Sequence, residues 1–258
     1  MSAPAPVRRN EALTLELIAQ DVAAVRVAAD IGATRVELCQ ALELGGLTAS
    51  SGTLRAAIAA GAETGVEVHA LIRPRAGGFV FSEDDLSVML ADVEAAVTAG
   101  ADGVVIGCLD EDGRIHEAQM MRLRDRAGSL QVSAHRAVDV SADPIRAVET
   151  VRDLGLARVL TSGGAASVSE GMTSLATMLD RVGGQLQIMA GGGVTANNAP
   201  ALAALGVDAI HFSAKRTVTG RGSVTLGSAE DAGSAGGYET VDPDLARVIA
   251  RAARGQRS

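Results

Sequence analysis

The chain has 258 residues, of which 47% are apolar and 21% charged, with a formal net charge of −8. That supplies a sizeable core, excludes intrinsic disorder and suits the length of one (β/α)8 barrel. Mean hydropathy is +0.22, yet no run reaches the ~18 apolar residues of a membrane span, and 2% aromatics with an acidic balance argue against a nucleic-acid partner.

In chain order, residues 1–12 are short on large apolar side chains, lack the apolar stretch of a signal peptide, and are expected to be a disordered tail. A single domain is expected over 13–258. Within it a short β-branched run alternates with an Ala-rich amphipathic stretch roughly every 30 residues, the rhythm of βα units. Strands are predicted over 13–19, 35–39, 67–73, 103–109, 131–136, 158–161, 185–190 and 209–214. Helices are predicted over 22–31, 52–63, 83–99, 117–126, 144–154, 167–181 and 196–205, with a last one over 243–253. Gly32, Gly100, Gly155 and Gly206 each stand between a helix and the next strand, where a left-handed backbone closes the helix. Ser82 with Asp85, and Asp143 with Pro144, are start signals for the third and fifth helices. Strict alternation of eight units predicts an α/β fold, a closed (β/α)8 TIM barrel, rather than a doubly wound sheet. Segment 217–240 is rich in Gly, Ser and Thr, breaks the pattern and is predicted as a long mobile loop after the eighth strand.

A barrel of this kind binds ligands where its strands end, so the polar residues there are the candidates. They are Glu16 on the first strand, Glu37 and Cys39 on the second, and Arg73 and Arg75 at the end of the third. The fifth adds His135, Arg136 and Asp139, the sixth Thr161 and Ser162, and the eighth Ser213. Burying so many polar groups is costly unless they pair with one another or with a ligand. One reading is a web of Glu–Arg pairs that closes the barrel top. The other is a pocket for a small anion, with Arg73, Arg75 and Arg136 as guanidinium forks and Thr161, Ser162 and Ser213 as hydroxyl partners. His135 suits general acid–base work; Arg136 would lower its pKa and Asp139 would raise it. Gly191, Gly192 and Gly193 follow the seventh strand and precede a helix, where backbone N–H groups can cradle a phosphate. His69 and His211, inside strands, carry a weaker signal. Cys39 and Cys108 are too few for a disulfide framework and fit a reducing cytoplasm.

The segments RVELCQALELGGLTAS, LIRPRAGGF, GADGVVIGCLDEDGRI, HRAVD, RVLTSGG, IMAGGGVTANN and IHFSA occur in this order, and together they resemble the CutC copper-homeostasis family over about 13–216. The resemblance implies a cytoplasmic TIM barrel, commonly a homodimer, that binds Cu(I) through cysteines near the ends of the first two strands. Here Ile18 stands at the first cysteine position and Cys39 keeps the second, so a two-thiolate site across those strands is impossible. Cys39 is the metal ligand that the resemblance leaves, with Cys108 a substitute only if the fold brings the two together. Glu16, Glu37, Arg73, Arg75, His135, Arg136, Asp139, Thr161 and Ser162 match the family's motifs. Three functions fit: the copper homeostasis that the resemblance implies, an enzyme acting on a small phosphorylated or carboxylated metabolite, and a non-catalytic ligand-binding barrel.

Overall fold

A computed structural model of the chain describes residues 13–218 and 238–256. Eight parallel strands close into a barrel in sequence order: β1 (Thr14–Ala19), β2 (Arg35–Leu38), β3 (Glu67–Leu71), β4 (Gly103–Ile106), β5 (Gln131–Ala134), β6 (Arg158–Thr161), β7 (Gln187–Gly191) and β8 (Ala209–Phe212). Each is followed by a helix: α1 (Val22–Asp30), α2 (Ser51–Thr64), α3 (Glu83–Ala99), α4 (Glu117–Ala127), α5 (Pro144–Asp153), α6 (Met172–Val182), α7 (Ala199–Leu205) and α8 (Pro243–Ala253). This is the expected TIM barrel, and among the described residues no helix is long and apolar enough to cross a membrane.

Strand parity divides the side chains, because successive residues face opposite sides of a sheet. Outward residues such as Leu15, Leu17, Val36, Val104, Ile106 and Ile188 pack under the helices in the main core. Inward residues form two small apolar clusters, Cys39–Leu71–Val105 and Leu160–Met189–Ala209. Much of the remaining interior is polar and buried, including Glu16, Arg35, Glu37, His69, His135, Arg158 and His211. Room for three imidazoles comes from glycines on neighbouring strands. A Cβ at Gly103 would overlap His69, one at Gly107 would overlap His135, and one at Gly191 would strike Leu160 and lie 3.1 Å from His211.

The start signals act as read: Ser82 and Asp85 form a capping box, and the Asp143 side chain accepts from the Arg146 N–H ahead of Pro144. Several boundaries differ. β3, β4, β5 and β8 stop before the predicted ends. After β5 the His135 Nδ1 accepts from the Ala137 N–H, starting a 3-10 turn over Arg136–Val140 in place of more strand. α6 starts at Met172 instead of 167, since Gly163 and Gly164 take positive φ and Gly171 packs where any Cβ would overlap the Ser162 carbonyl. The predicted loop over 217–240 is corrected at both ends: β9 (Lys215–Val218) pairs antiparallel with β10 (Tyr238–Val241). The rest of that loop, 219–237, and the expected tail over 1–12 lie outside the described residues.

Candidate functional site

At the C-terminal mouth a cavity of about 270 Å³ is walled by Ile18, Leu71, Phe79, Leu160 and Phe212, with Glu37, Arg73, His135, Arg136 and His211 as its charged or titratable groups. Cys39, Gly192, Gly193 and Ser213 complete the predicted residues that reach it.

The deep side is anchored by Glu16, one step below the cavity on β1. Register sets Glu16 beside Arg35 on β2 and His211 on β8, the latter because the barrel closes there. Arg35 Nε donates to Glu16 Oε2, and Glu16 Oε1 lies 2.7 Å from His211 Nδ1. Burial disfavours charge on Glu16, but Arg35 and then His211 hold its carboxyl far below the ordinary range. For His211, burial works against the charged form, and the bond with Glu16 and the charges of Glu37 and Glu16 outweigh it, so its pKa rises.

Glu37 is different. Burial pushes its carboxyl up to about 7, with His211 opposing and Glu16 adding to the rise. Its Oε2 is buried and has no hydrogen-bond partner. Across the mouth, burial and the Arg73 charge push His135 down to about 3, so the ring is neutral. Its Nδ1 accepts at 3.2 Å from the Ala137 N–H, which leaves the ring proton on Nε2, and that atom is buried without a partner. Among the described residues Arg73 has no carboxylate partner. Its Nη1 donates to the Leu44 and Gly46 carbonyls at 2.9 Å and its Nη2 to Gly77 at 2.8 Å, while Nε is unpartnered. Phe79 packs against both, with Arg73 5.2 Å above its ring and the His135 ring at 4.8 Å.

Arg136 is aimed by a clasp behind it. Its Nε donates to Asp139 Oδ2 at 2.7 Å and its Nη2 to Ser162 Oγ at 2.8 Å. Asp139 is in turn held by the Thr161 hydroxyl, the Ser162 N–H and the Gly164 N–H. The guanidinium lies against Gly192, whose φ is +103° and whose Cβ, if it had one, would be 2.9 Å from Arg136 Nη1.

Several predicted residues therefore stand elsewhere. Asp139, Thr161 and Ser162 support Arg136 from behind the wall. Gly191 ends β7 and is small for packing. The glycines do not lead into a helix N-terminus: Asn198 accepts from the Thr195 N–H and donates to the Gly193 carbonyl, and α7 begins only at Ala199. Arg75 turns outward to Asp85 at 3.1 Å and over Phe81, because the chain leaves the barrel at Pro74 and strand parity ends. Cys108 faces the outer core, so it does not join Cys39. Arg35 and Phe79 carry no signal of their own in the sequence, and His211, a weaker candidate there, enters the site because β8 closes onto β1.

One trio of potential metal ligands borders the cavity floor. Oxygens of Glu16 and Glu37 and a nitrogen of His211 lie within 4.8 Å of one another. Both Glu16 oxygens are engaged, and a cation there would displace His211 beside the Arg35 charge, so the trio does not fit. Cys39 sits among Leu71, Val105, Ile18 and Leu42. Burial and then Glu37 and Glu43 push its thiol up, so it resists becoming the thiolate that a soft metal binds.

The CutC family model matches residues 13–216. The chain is 43% identical to a CutC family protein of Xylella fastidiosa strain Temecula1 over 238 residues, covering 92% of this chain and 87% of that one. It is 42% identical to one from Xanthomonas campestris pv. campestris strain 8004, covering 91% and 96%. Among solved structures it resembles the putative copper homeostasis protein CutC from Streptococcus agalactiae, with a TM-score of 0.74 and 29% identity over 78% of this chain and 98% of that one. A thiamine phosphate pyrophosphorylase from Pyrococcus furiosus, at 16% identity and a TM-score of 0.57, shares the fold alone.

Proposed function

The chain belongs to the CutC family, and from that premise we propose that its barrel mouth binds a small anionic metabolite, carboxylated or phosphorylated. One observation carries the reading: Glu37 Oε2, Arg73 Nε and His135 Nε2 are buried without partners among the described residues, in side chains that line one cavity. A buried polar atom left unpaired costs about 1–3 kcal/mol, so three in one wall favour a ligand that completes them. Arg73 and Arg136 supply positive charge, and Gly192, Gly193 and Ser213 border the same space. The test is native mass spectrometry of freshly purified protein, followed by thermal shift with small carboxylates and phosphates. A co-purifying anion, or a rise in Tm that Arg136→Met removes, is expected; no shift with any of them contradicts the reading.

Copper homeostasis is the second reading, favoured by the name of the Streptococcus agalactiae relative and by Cys39 in the cavity wall. A lone raised thiol among aliphatic neighbours supports weak, Cys39-dependent Cu(I) binding. Competition against a Cu(I) chelator, with Cys39→Ser beside the parent, tests it; tight binding that survives the substitution contradicts the assignment. Two free cysteines and the family resemblance support a cytoplasmic homodimer.

A further inference from the structure

We infer that the mouth catalyses proton abstraction next to a carbonyl group, the enolisation of a small anionic α-hydroxycarbonyl compound, with Glu37 as the base and His135 Nε2–H as the donor to the developing oxyanion. The inference rests on the anion-pocket reading and adds a reaction to it.

The cavity narrows the chemistry by what its groups can do. A Schiff base needs an amine, and the single lysine, Lys215, is half-exposed on β9, paired with Glu239 at 2.7 Å and absent from the cavity wall. A hydroxyl or thiol nucleophile needs a base beside it. His135 cannot serve, because Nδ1 is taken by a backbone N–H and Nε2 carries the ring proton. What remains is a carboxylate with one free oxygen, a neutral imidazole N–H, two guanidinium groups, and His211, whose Nδ1 is held by Glu16. A carboxylate base and a neutral imidazole in one cavity are the pair by which a triose isomerase enolises its substrate.

The surroundings suit each role. Glu37 lines the cavity from β2, and among the described residues no hydrogen bond engages its Oε2, so that oxygen is free to take a proton. His135 stays neutral under the Arg73 charge, so it donates a hydrogen bond without first losing a proton. Ile18, Leu71, Phe79, Leu160 and Phe212 give that bond an apolar surround, where it is worth more than in water. At about 270 Å³ the cavity takes a molecule of a few carbons.

The step balances without a redox partner. Glu37 Oε2 takes the proton from the carbon that bears the hydroxyl. The C–H electron pair becomes the C=C bond, and the carbonyl π pair moves onto oxygen, held by His135 Nε2–H. Returning the proton to the same carbon restores the substrate. Returning it to the former carbonyl carbon, with the hydroxyl proton passing to the other oxygen, gives the isomeric carbonyl compound.

Deuterium exchange tests this. The protein is incubated in D2O with glyceraldehyde 3-phosphate, dihydroxyacetone phosphate or hydroxypyruvate, and loss of the α C–H signal is followed by proton NMR against a protein-free control. Binding of these three compounds and of phosphoglycolate is measured separately by thermal shift. Exchange with at least one probe is expected. Glu37→Gln should lower it about 100-fold or more while phosphoglycolate still binds, and Glu37→Asp, which keeps the acid but draws it back, should fall between the two. Binding without exchange in the parent overturns the enolisation and leaves the anion pocket standing. Exchange undiminished in Glu37→Gln and Glu37→Asp overturns Glu37 as the base. Failure of all four compounds to bind overturns the pocket and the reaction together.

Discussion

Two levels of the same barrel interior treat buried charge in opposite ways. At the deep level both Glu16 oxygens are used, by Arg35 and His211, and Arg158 donates to Gln187, Ser133 and Gln131. His69 is the exception there, resting 3.5 Å from Glu67 Oε2 with neither ring nitrogen hydrogen-bonded. At the mouth Glu37, Arg73 and His135 each keep an unpartnered atom and face one cavity. The deep level is an ion-pair network built on Arg35, so the Glu–Arg pairing that one reading of the sequence placed at the barrel top lies below it instead. The mouth is the region on which the proposed anion pocket rests. His211 joins the two levels, bonding Glu16 below and lining the cavity above.

The difference predicts where substitutions hurt. Arg35→Met should cost most, because it leaves Glu16 buried without its guanidinium. Denaturant unfolding should show a loss of about 3–5 kcal/mol; a loss below about 1 kcal/mol would erase the contrast between the levels. Gly192→Val comes next. It strains a backbone held at φ +103° and pushes against Arg136, so a loss of about 1–3 kcal/mol is expected, together with weaker anion binding through the displaced guanidinium. Undisturbed binding in a folded Gly192→Val protein would take Arg136 out of the site.

The pH dependence of stability sharpens the comparison further. Glu37 binds its proton more tightly in the folded state (about 7 against 4.5), so it costs stability as pH rises through that window. Glu37→Gln should therefore gain on the parent as pH climbs from about 4.5 to 7. His135 is held neutral, about 3 against 6.5, so it costs stability as pH falls through its window. His135→Gln should gain on the parent as pH drops from about 6.5 to 3. Unfolding curves that show no pH-dependent difference from the parent would contradict the burial of both groups. The smallest effect belongs to Arg75→Met, whose partner Asp85 is in an exposed pair. It should change stability by about 1 kcal/mol or less and leave anion binding alone.

The barrel was legible in the sequence because βα alternation, the capping pairs and the turn glycines are local signals. Gly32, Gly100, Gly155 and Gly206 all take the positive φ that their position between helix and strand requires. The site was legible only in part. Arg73 and Arg75 look equivalent two residues apart, but β3 ends at Leu71, so parity no longer carries Arg75 inward. Cys108 was decidable by parity: Gly103, Val105 and Gly107 face the interior, which turns Cys108 out. Thr161, Ser162 and Asp139 read as pocket residues because polar strand ends look alike whether they face a ligand or hold the residue that does. The Glu16–His211 contact spans 195 positions of chain and exists only because the barrel closes, which no local pattern records.

Calorimetric titration of phosphoglycolate into the parent, Arg136→Met and Arg75→Met at one ionic strength tests the unfinished mouth most directly. The account predicts equal affinity for the parent and Arg75→Met, and a loss of about tenfold or more in Arg136→Met, as removal of a charge-assisted hydrogen bond requires. Equal affinity in all three proteins, or no heat in any of them, would contradict it.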